Sequence, residues 1–200
     1  PLLYMIALGW GLGATSAVTD RPYIDFLVPG IIALTTMNTS LSAVAQPLNV
    51  QRIFERSFDQ LIISPTPMPA YIVGQMLGGS LRGIYSGVLI LLLSVPFGAQ
   101  IHLSMAFFAV MLLNGLAFSA LGVTAAIVAR THGDIARFST YVILPMTFLC
   151  NTFFPLDRVP DWVEALIRIL PLTHTSSSLR ALAYGDAPNY CLFYTSDAAD

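Results

Sequence analysis

The chain contains no lysine; all 9 of its basic side chains are arginine. A phosphate-binding loop of the form GxxxxGK[ST] needs that lysine, so the chain cannot supply one. Charge of either sign is scarce, at 10% of residues, where a soluble domain carries about 25%. The formal net charge of −2 offers no basic field for nucleic acid. Cysteine is nearly absent too. Cys150 and Cys191 form neither a disulfide framework nor a zinc site, and Cys150 lies in an apolar run where it reads as a small buried hydrophobe. No signal peptide is recognisable, since a basic start and a cleavage site are both missing.

What fills the chain instead is apolar: 56% of residues are hydrophobic. Such a composition cannot cover a water-facing surface, and it places the chain in a membrane. A helix crossing the hydrocarbon needs about 20 residues. The sequence predicts an all-α, polytopic transmembrane helical bundle with five spans visible. The first, 1–14, is partial, so the span is expected to begin upstream. The second runs over about 26–45, the third over about 78–97, the fourth over about 106–128 and the fifth over about 138–154. A β-barrel would show alternating segments of about ten residues instead.

Polar residues inside these spans have specific expected uses. Thr35, Thr36, Asn38, Thr39 and Asn114 are expected to bond between helices. A ladder of small residues, Gly74 and Gly78 followed by Gly79, Gly83 and Gly87, lets another helix approach closely. Packing within the bundle is its plainest use; a dimer seam or the lining of a transport path is the sharper one. Arg82 falls about four residues, or roughly 6 Å, past a span start at Gly78. It is expected either to snorkel or to contact an anionic lipid or substrate headgroup.

Between the spans lie short polar segments. Residues 51–62 read as an amphipathic helix. Ile53, Phe54, Phe58 and Leu61 recur at helical spacing, and Arg52, Glu55, Arg56 and Asp59 make the polar face. It fits a membrane-surface helix or a docking element equally. Pro65, Pro67 and Pro69 are expected to end any regular helix there. Residues 130–137 read as a solvated turn, with His132 and Asp134 lacking a nucleophile beside them. In the fifth span Pro145 is expected to kink the helix. At 153–162, Phe153, Phe154 and Trp162 suit the headgroup zone. Pro155 and Pro160 end the span and redirect the chain, and Asp161 with Glu164 forms a capping box for a short amphipathic helix. Arginines divide four against four between the two sides, so charge does not orient the chain.

Several blocks, taken in order, resemble the membrane permeases of the second class of ABC-type exporters. They are Tyr23-Ile-Asp-Phe-Leu-Val-Pro-Gly30, then Phe54-Glu-Arg-Ser-Phe-Asp-Gln-Leu-Ile-Ile-Ser-Pro65, then Phe153-Phe-Pro155 with Val159-Pro-Asp-Trp162, and Leu170-Pro-Leu-Thr173 with Leu179-Arg180. The resemblance covers residues 1–185, expected to form one transporter domain. The tail, 186–200, is atypical and expected to be artefactual. The resemblance implies a six-span permease in the bacterial plasma or inner membrane. Its partners would be cytosolic ABC ATPase subunits, a second permease copy and membrane lipid. It would bind no cofactor itself; ATP and Mg would sit on the partner. Its cargo would be a lipid-linked glycan, a polysaccharide or a hydrophobic compound. It also implies that 46–66 and 130–137 face the cytosol, that 51–62 couples to the ATPase, and that 153–162 is an outer-interface element. A non-transport scaffold or lipid-binding protein is the alternative, discriminated by an ABC ATPase gene beside this one.

Overall fold

Every residue from 27 to 37 is buried, which covers three full turns of helix on all sides. A helix that is apolar all round has to be enclosed by others, and this one is. It belongs to α1 (Tyr23–Ile53), the central element in a computed structural model that describes residues 23–53, 67–95, 102–149 and 170–184. Around it stand α2 (Met68–Ser94) and α3 (Met105–Val128), which also pack on each other. These are the three described helices long and apolar enough to cross a membrane. Of the most apolar stretch of α1, 78% is buried, against 28% for α2 and 44% for α3, so α1 is the axis and the other two form the periphery. The outer faces of α2 and α3 carry apolar side chains, such as Leu77, Leu81, Leu92, Leu113 and Val128, as lipid contact requires. The described residues thus form an all-α bundle.

Shorter helical pieces close the two ends. Helix α4 (His132–Phe138), a π-helical segment (Ser139–Ile143) and α5 (Leu144–Leu149) follow one another without a break. Helix α6 (Pro171–Ala183) lies against α1 and α3.

Several boundaries differ from the sequence expectation, each for a physical reason. The second span extends past Ala45: α1 continues through Pro47 to Ile53, so Gln51, Arg52 and Ile53 are its last turn and not the start of a separate helix. The third span begins at Met68, not Gly78. Pro67 is the extended N-cap residue and Pro69 stands in the first turn, where a missing N–H leaves no intrahelical bond unmade, so these two prolines open a helix. The segment 130–137, expected as a solvated turn, is the cap and most of the length of α4. Pro145 is preceded by a wide π turn in which the Leu144 N–H donates to the Ser139 carbonyl; that widening accommodates a residue that has no N–H for its own turn. The first span, residues 54–66 and 150–169, and the tail lie outside the described residues.

The α1–α2–α3 crossing is built on small residues. Gly79, Gly83 and Gly87 are buried on the inner face of α2. A Cβ on Gly79 would meet Val44 and stand 2.5 Å from the Ser119 hydroxyl. On Gly83 it would strike the Ser40 hydroxyl and stand 2.9 Å from the Thr36 carbonyl. Gly115 and Gly122 of α3 are as tight, with a Cβ meeting Ser80 Cα at 3.0 Å and the Leu41 carbonyl at 2.8 Å. Gly74 and Gly78 have nothing within 4 Å, so that half of the ladder faces outward.

Polar side chains in the crossing divide into two groups. Asn114 donates to the Ala33 carbonyl at 3.1 Å and Thr39 to Ser86 at 3.2 Å, both between helices. Asn38 bonds instead within its own helix, to the Leu34 carbonyl at 3.2 Å, because a neighbour four residues back is always in reach. The hydroxyls of Thr35, Thr36, Ser40 and Ser119 are buried without a hydrogen-bond partner among the described residues, and so is Asn114 Oδ1.

Candidate functional site

Two arginines fasten the two ends of the bundle. At the C-terminal end of α1, Arg52 reaches across to the end of α3. Its Nη1 donates to the carbonyls of Ala126 and Ala129, each at 2.9 Å, and to that of Ile127. The last carbonyls of a helix have no intrahelical donor, and they carry the negative end of its dipole. A guanidinium, with five N–H groups in a fixed fork, satisfies both needs. Nearby, the Tyr71 hydroxyl of α2 donates to Gln51 Oε1 at 3.0 Å, so α1, α2 and α3 are all joined at this level.

The chain leaves α3 through a tight cap. Thr131 is the N-cap residue of α4, and Asp134 is its reciprocal partner three residues on. The Asp134 carboxylate accepts from the N–H groups of Arg130 and Thr131, each at 2.9 Å, and pairs with Arg137 at 3.2 Å. The Thr131 N–H first, then the Arg130 N–H, the Thr131 hydroxyl and the Arg137 charge hold this carboxyl below its usual 3.8. Beside the cap, Leu121, Ala125, Val128, Arg130, Asp134 and Phe138 help line an open, mostly apolar groove of about 370 Å³.

At the opposite end Arg180 of α6 is only 6% exposed. Its Nε donates to the Phe26 carbonyl at 3.0 Å, and its guanidinium lies 3.7 Å over the Phe26 ring. Arginine is rarely buried to this degree without partners, and stacking on an aromatic face suits its delocalised charge. The His102 N–H donates to the Ala183 carbonyl at 3.0 Å, tying α6 to the approach to α3, where Ser104 caps the helix by accepting from the Phe107 N–H.

Of the residues singled out in the sequence, Arg52, Arg82, Gly79, Gly83 and Gly87 are described. Phe54, Glu55, Arg56, Phe58, Asp59 and Leu61 lie outside the described residues, and so do Phe153, Phe154, Pro155, Pro160 and Trp162. Arg82 stands on the exposed side of α2. It is not near the helix start: α2 begins at Met68, which puts Arg82 about 21 Å along the axis, near mid-helix. The sequence did not mark Gly115 or Gly122, gave Asp134 only as part of a solvated turn, and gave Arg180 only as part of a family block with no structural role. The Thr-x-x-Asp pattern at 131–134 was a usable signal for the cap, and Gly115, Ser119 and Gly122 repeat at helical spacing. Among the described residues no three His, Cys, Asp or Glu side chains cluster as a metal site would require.

These features define a class: a helical membrane bundle whose polar groups join helices to one another. The chain belongs to the ABC-2 type transporter family, which matches residues 1–184. It is similar to the inner membrane transport permease YadH of Escherichia coli K12, at 31% identity over 93% of this chain and 74% of that protein. It is also similar to nodulation protein J of Rhizobium leguminosarum bv. trifolii, at 26% identity over 92% of this chain and 71% of that protein. Nodulation protein J of Rhizobium meliloti matches at 26% over the same shares. No solved structure matches significantly. The chain is a membrane permease subunit of an ABC exporter: a multi-pass transport subunit of the inner or plasma membrane, and not a catalytic one.

Proposed function

We propose that this permease moves a lipid-linked glycan, a polysaccharide or a hydrophobic compound out of the cytoplasm, driven by separate ATPase subunits that bind ATP and Mg. In this reading residues 1–185 are the transporter domain, with five of six spans visible, and two permease copies pair with two ATPases. The α1 C-terminus and α4 face the cytosol, and 153–162 lies at the outer interface. The observation that supports it best is the Arg52 clamp. Residues 54–62 continue from a helix end whose next-to-last described residue grips the α3 C-terminus. A push on 54–62 by a nucleotide-driven partner would therefore reach α1 and α3 together. Phe54, Phe58 and Leu61 would fill a cleft on the ATPase, flanked by Glu55, Arg56 and Asp59. An ATPase that contacts two permease states unequally shifts their populations, whereas equal contact shifts nothing.

The test is Phe54→Ala with Phe58→Ala in the full-length permease, co-expressed with its ATPase. A buried aromatic anchor is commonly worth about 2 kcal/mol or more, so the double variant should insert normally and lose the ATPase in a detergent pull-down. Normal ATPase recovery and normal transport would reduce 54–62 to a membrane-surface helix.

A further inference from the structure

The groove beside the α4 cap joins an apolar wall to a charged rim. Its long wall is the last two turns of α3, where Leu121, Thr124, Ala125 and Val128 line it. Leu121 is 40% exposed and Val128 73%. Thr124 is the one polar side chain on this wall, and its hydroxyl donates to the Ala120 carbonyl of its own helix at 2.9 Å. The wall therefore offers an occupant apolar surface and no hydrogen bond to satisfy. Phe138 of α4 adds a further apolar side chain. At about 370 Å³ the groove falls in the size range of small-ligand sites.

Of the lining residues, only Arg130 and Asp134 carry charge. The Asp134 carboxylate is already engaged by the N–H groups of Arg130 and Thr131 and by the Arg137 guanidinium. Two arginines against one carboxylate leave this rim positive.

The position of the groove along α3 selects its occupant. Helix α3 has 24 residues, so it is about 36 Å long, against a hydrocarbon core of about 30 Å. A helix of that length that crosses the membrane ends at the hydrocarbon edge, and the charged run 130–137 follows where headgroups and water begin. Leu121 stands about 10 Å back along the axis from Val128. The apolar wall is thus level with acyl chains, and Arg130 is level with headgroups. A water-borne protein would have to enter the hydrocarbon to fill the wall, whereas a lipid chain is already there. The positive rim favours an anionic headgroup, and a guanidinium pairs with phosphate through two parallel hydrogen bonds.

We propose that the groove is a binding site for one anionic phospholipid, with an acyl chain along α3 and the phosphate on Arg130. Ala129 lines the same groove, and its carbonyl accepts from Arg52. The lipid and the Arg52 clamp therefore hold the same helix end. The site does not depend on the cargo.

The probe is phosphatidylglycerol with a diazirine on one acyl chain; phosphatidylcholine with the same labelled chain is the control without net charge. The full-length permease with its ATPase is placed in phosphatidylcholine nanodiscs, the probe is photoactivated, and adducts on peptides covering 121–138 are quantified by mass spectrometry. Wild type should take phosphatidylglycerol over phosphatidylcholine by about fivefold, the preference that one arginine near a membrane surface gives. Arg130→Gln should bring the two lipids level at these peptides. Ala125→Phe, which fills the apolar wall and keeps the charge, should lower labelling by both. Excess glycerol phosphate should not compete, since it has no chain to bury. ATPase co-purification with Arg130→Gln should be normal, which separates loss of this site from misfolding and from failure of the coupling assignment. Equal labelling by the two lipids in wild type, or a preference that survives Arg130→Gln, overturns the proposal. So does an absence of adducts at 121–138, which means that protein covers the groove. Competition by glycerol phosphate overturns it by marking a site for free phosphate, and loss of the ATPase with lipid labelling unchanged overturns it by marking a contact with the partner.

Discussion

Replacing Gly83 by alanine should destabilise the bundle, while the same change at Gly78, just over one turn away, should not. The new methyl at position 83 meets the Ser40 hydroxyl, which can rotate, and the Thr36 carbonyl oxygen at 2.9 Å, which cannot. That oxygen belongs to a helix buried on all sides, so α1 has no free direction in which to retreat. Gly79 and Gly87 hold the same two helices together on either side, which opposes a local shift. Overpacking of this kind costs about 1–3 kcal/mol. Alanine recovers about 0.5–1 kcal/mol over glycine in a helix interior, which leaves a net loss of up to about 2.5 kcal/mol. At Gly78 no atom lies within 4 Å, so only the helix preference remains and the change should stabilise by about 0.5–1 kcal/mol. The two variants alter composition identically, which makes their difference the informative quantity. Reversible unfolding of purified permease by SDS in mixed micelles, followed by far-UV circular dichroism, gives both values. Equal stability of the two variants, or a larger loss at Gly78, would refute the assignment of the inner and outer halves of the ladder.

Arg52→Gln removes charge-assisted hydrogen bonds worth about 1.5–3 kcal/mol each at most, and should speed hydrogen exchange at the end of α3, read by mass spectrometry on peptides covering 121–131; unchanged exchange would mean that the clamp holds nothing. Asp134→Ala should fray the start of α4 and leave the three long helices intact, seen as local exchange over 131–138. The pH dependence of that cap follows from a folded carboxyl held below 3.8: its stabilisation is complete above that ordinary value and is lost as pH falls through the lower folded one, so exchange corrected for intrinsic rate should be flat from neutral pH down to about 4. Single cysteines at Ser57 and Asp157, in a full-length form without Cys150 and Cys191, should label from opposite faces of the membrane; labelling of both by an impermeant reagent from outside would refute the proposed topology.

The long apolar helices were readable because hydropathy reports what must be kept from water. Span four, at about 106–128, matches α3 to within a residue. Helix ends were less readable, since hydropathy marks the hydrocarbon and a helix can run beyond it. That is why α1 passes Ala45 and why α2 starts ten residues before Gly78. That Pro67 and Pro69 open α2 was not legible, because such prolines look the same in sequence whether they follow one helix or start the next. The glycine ladder could be read as small residues but not by direction. Only the packing separates Gly79, Gly83 and Gly87 from Gly74 and Gly78. The role of Arg180 was not legible because it depends on Phe26, 154 residues away, and no local pattern encodes that pairing.

The two arginine clamps and the enclosed α1 constrain one another. From the Phe26 carbonyl to the Arg52 guanidinium the helix spans 26 residues, about 39 Å. Its partners are fixed at both ends: α6 through Arg180 and the α3 C-terminus through Arg52. A rod held in this way cannot tilt without breaking one clamp, but it can transmit a displacement along its axis. Pro29 and Pro47 stand just inside the two clamps, each leaving a carbonyl without its intrahelical donor. Those are the points where α1 bends most readily, and between them residues 29–37 are enclosed by neighbours on every side. That segment also meets the glycines of α2 and α3, whose missing side chains allow the close contact. The unpartnered hydroxyls of Thr36, Ser40 and Ser119 face the same crossing. A buried hydroxyl without a partner is costly, and an axial shift that brings one against a new carbonyl regains part of that cost. In the proposed export cycle, the features that make α1 the core of the bundle are the same ones that would carry a force from one of its ends to the other.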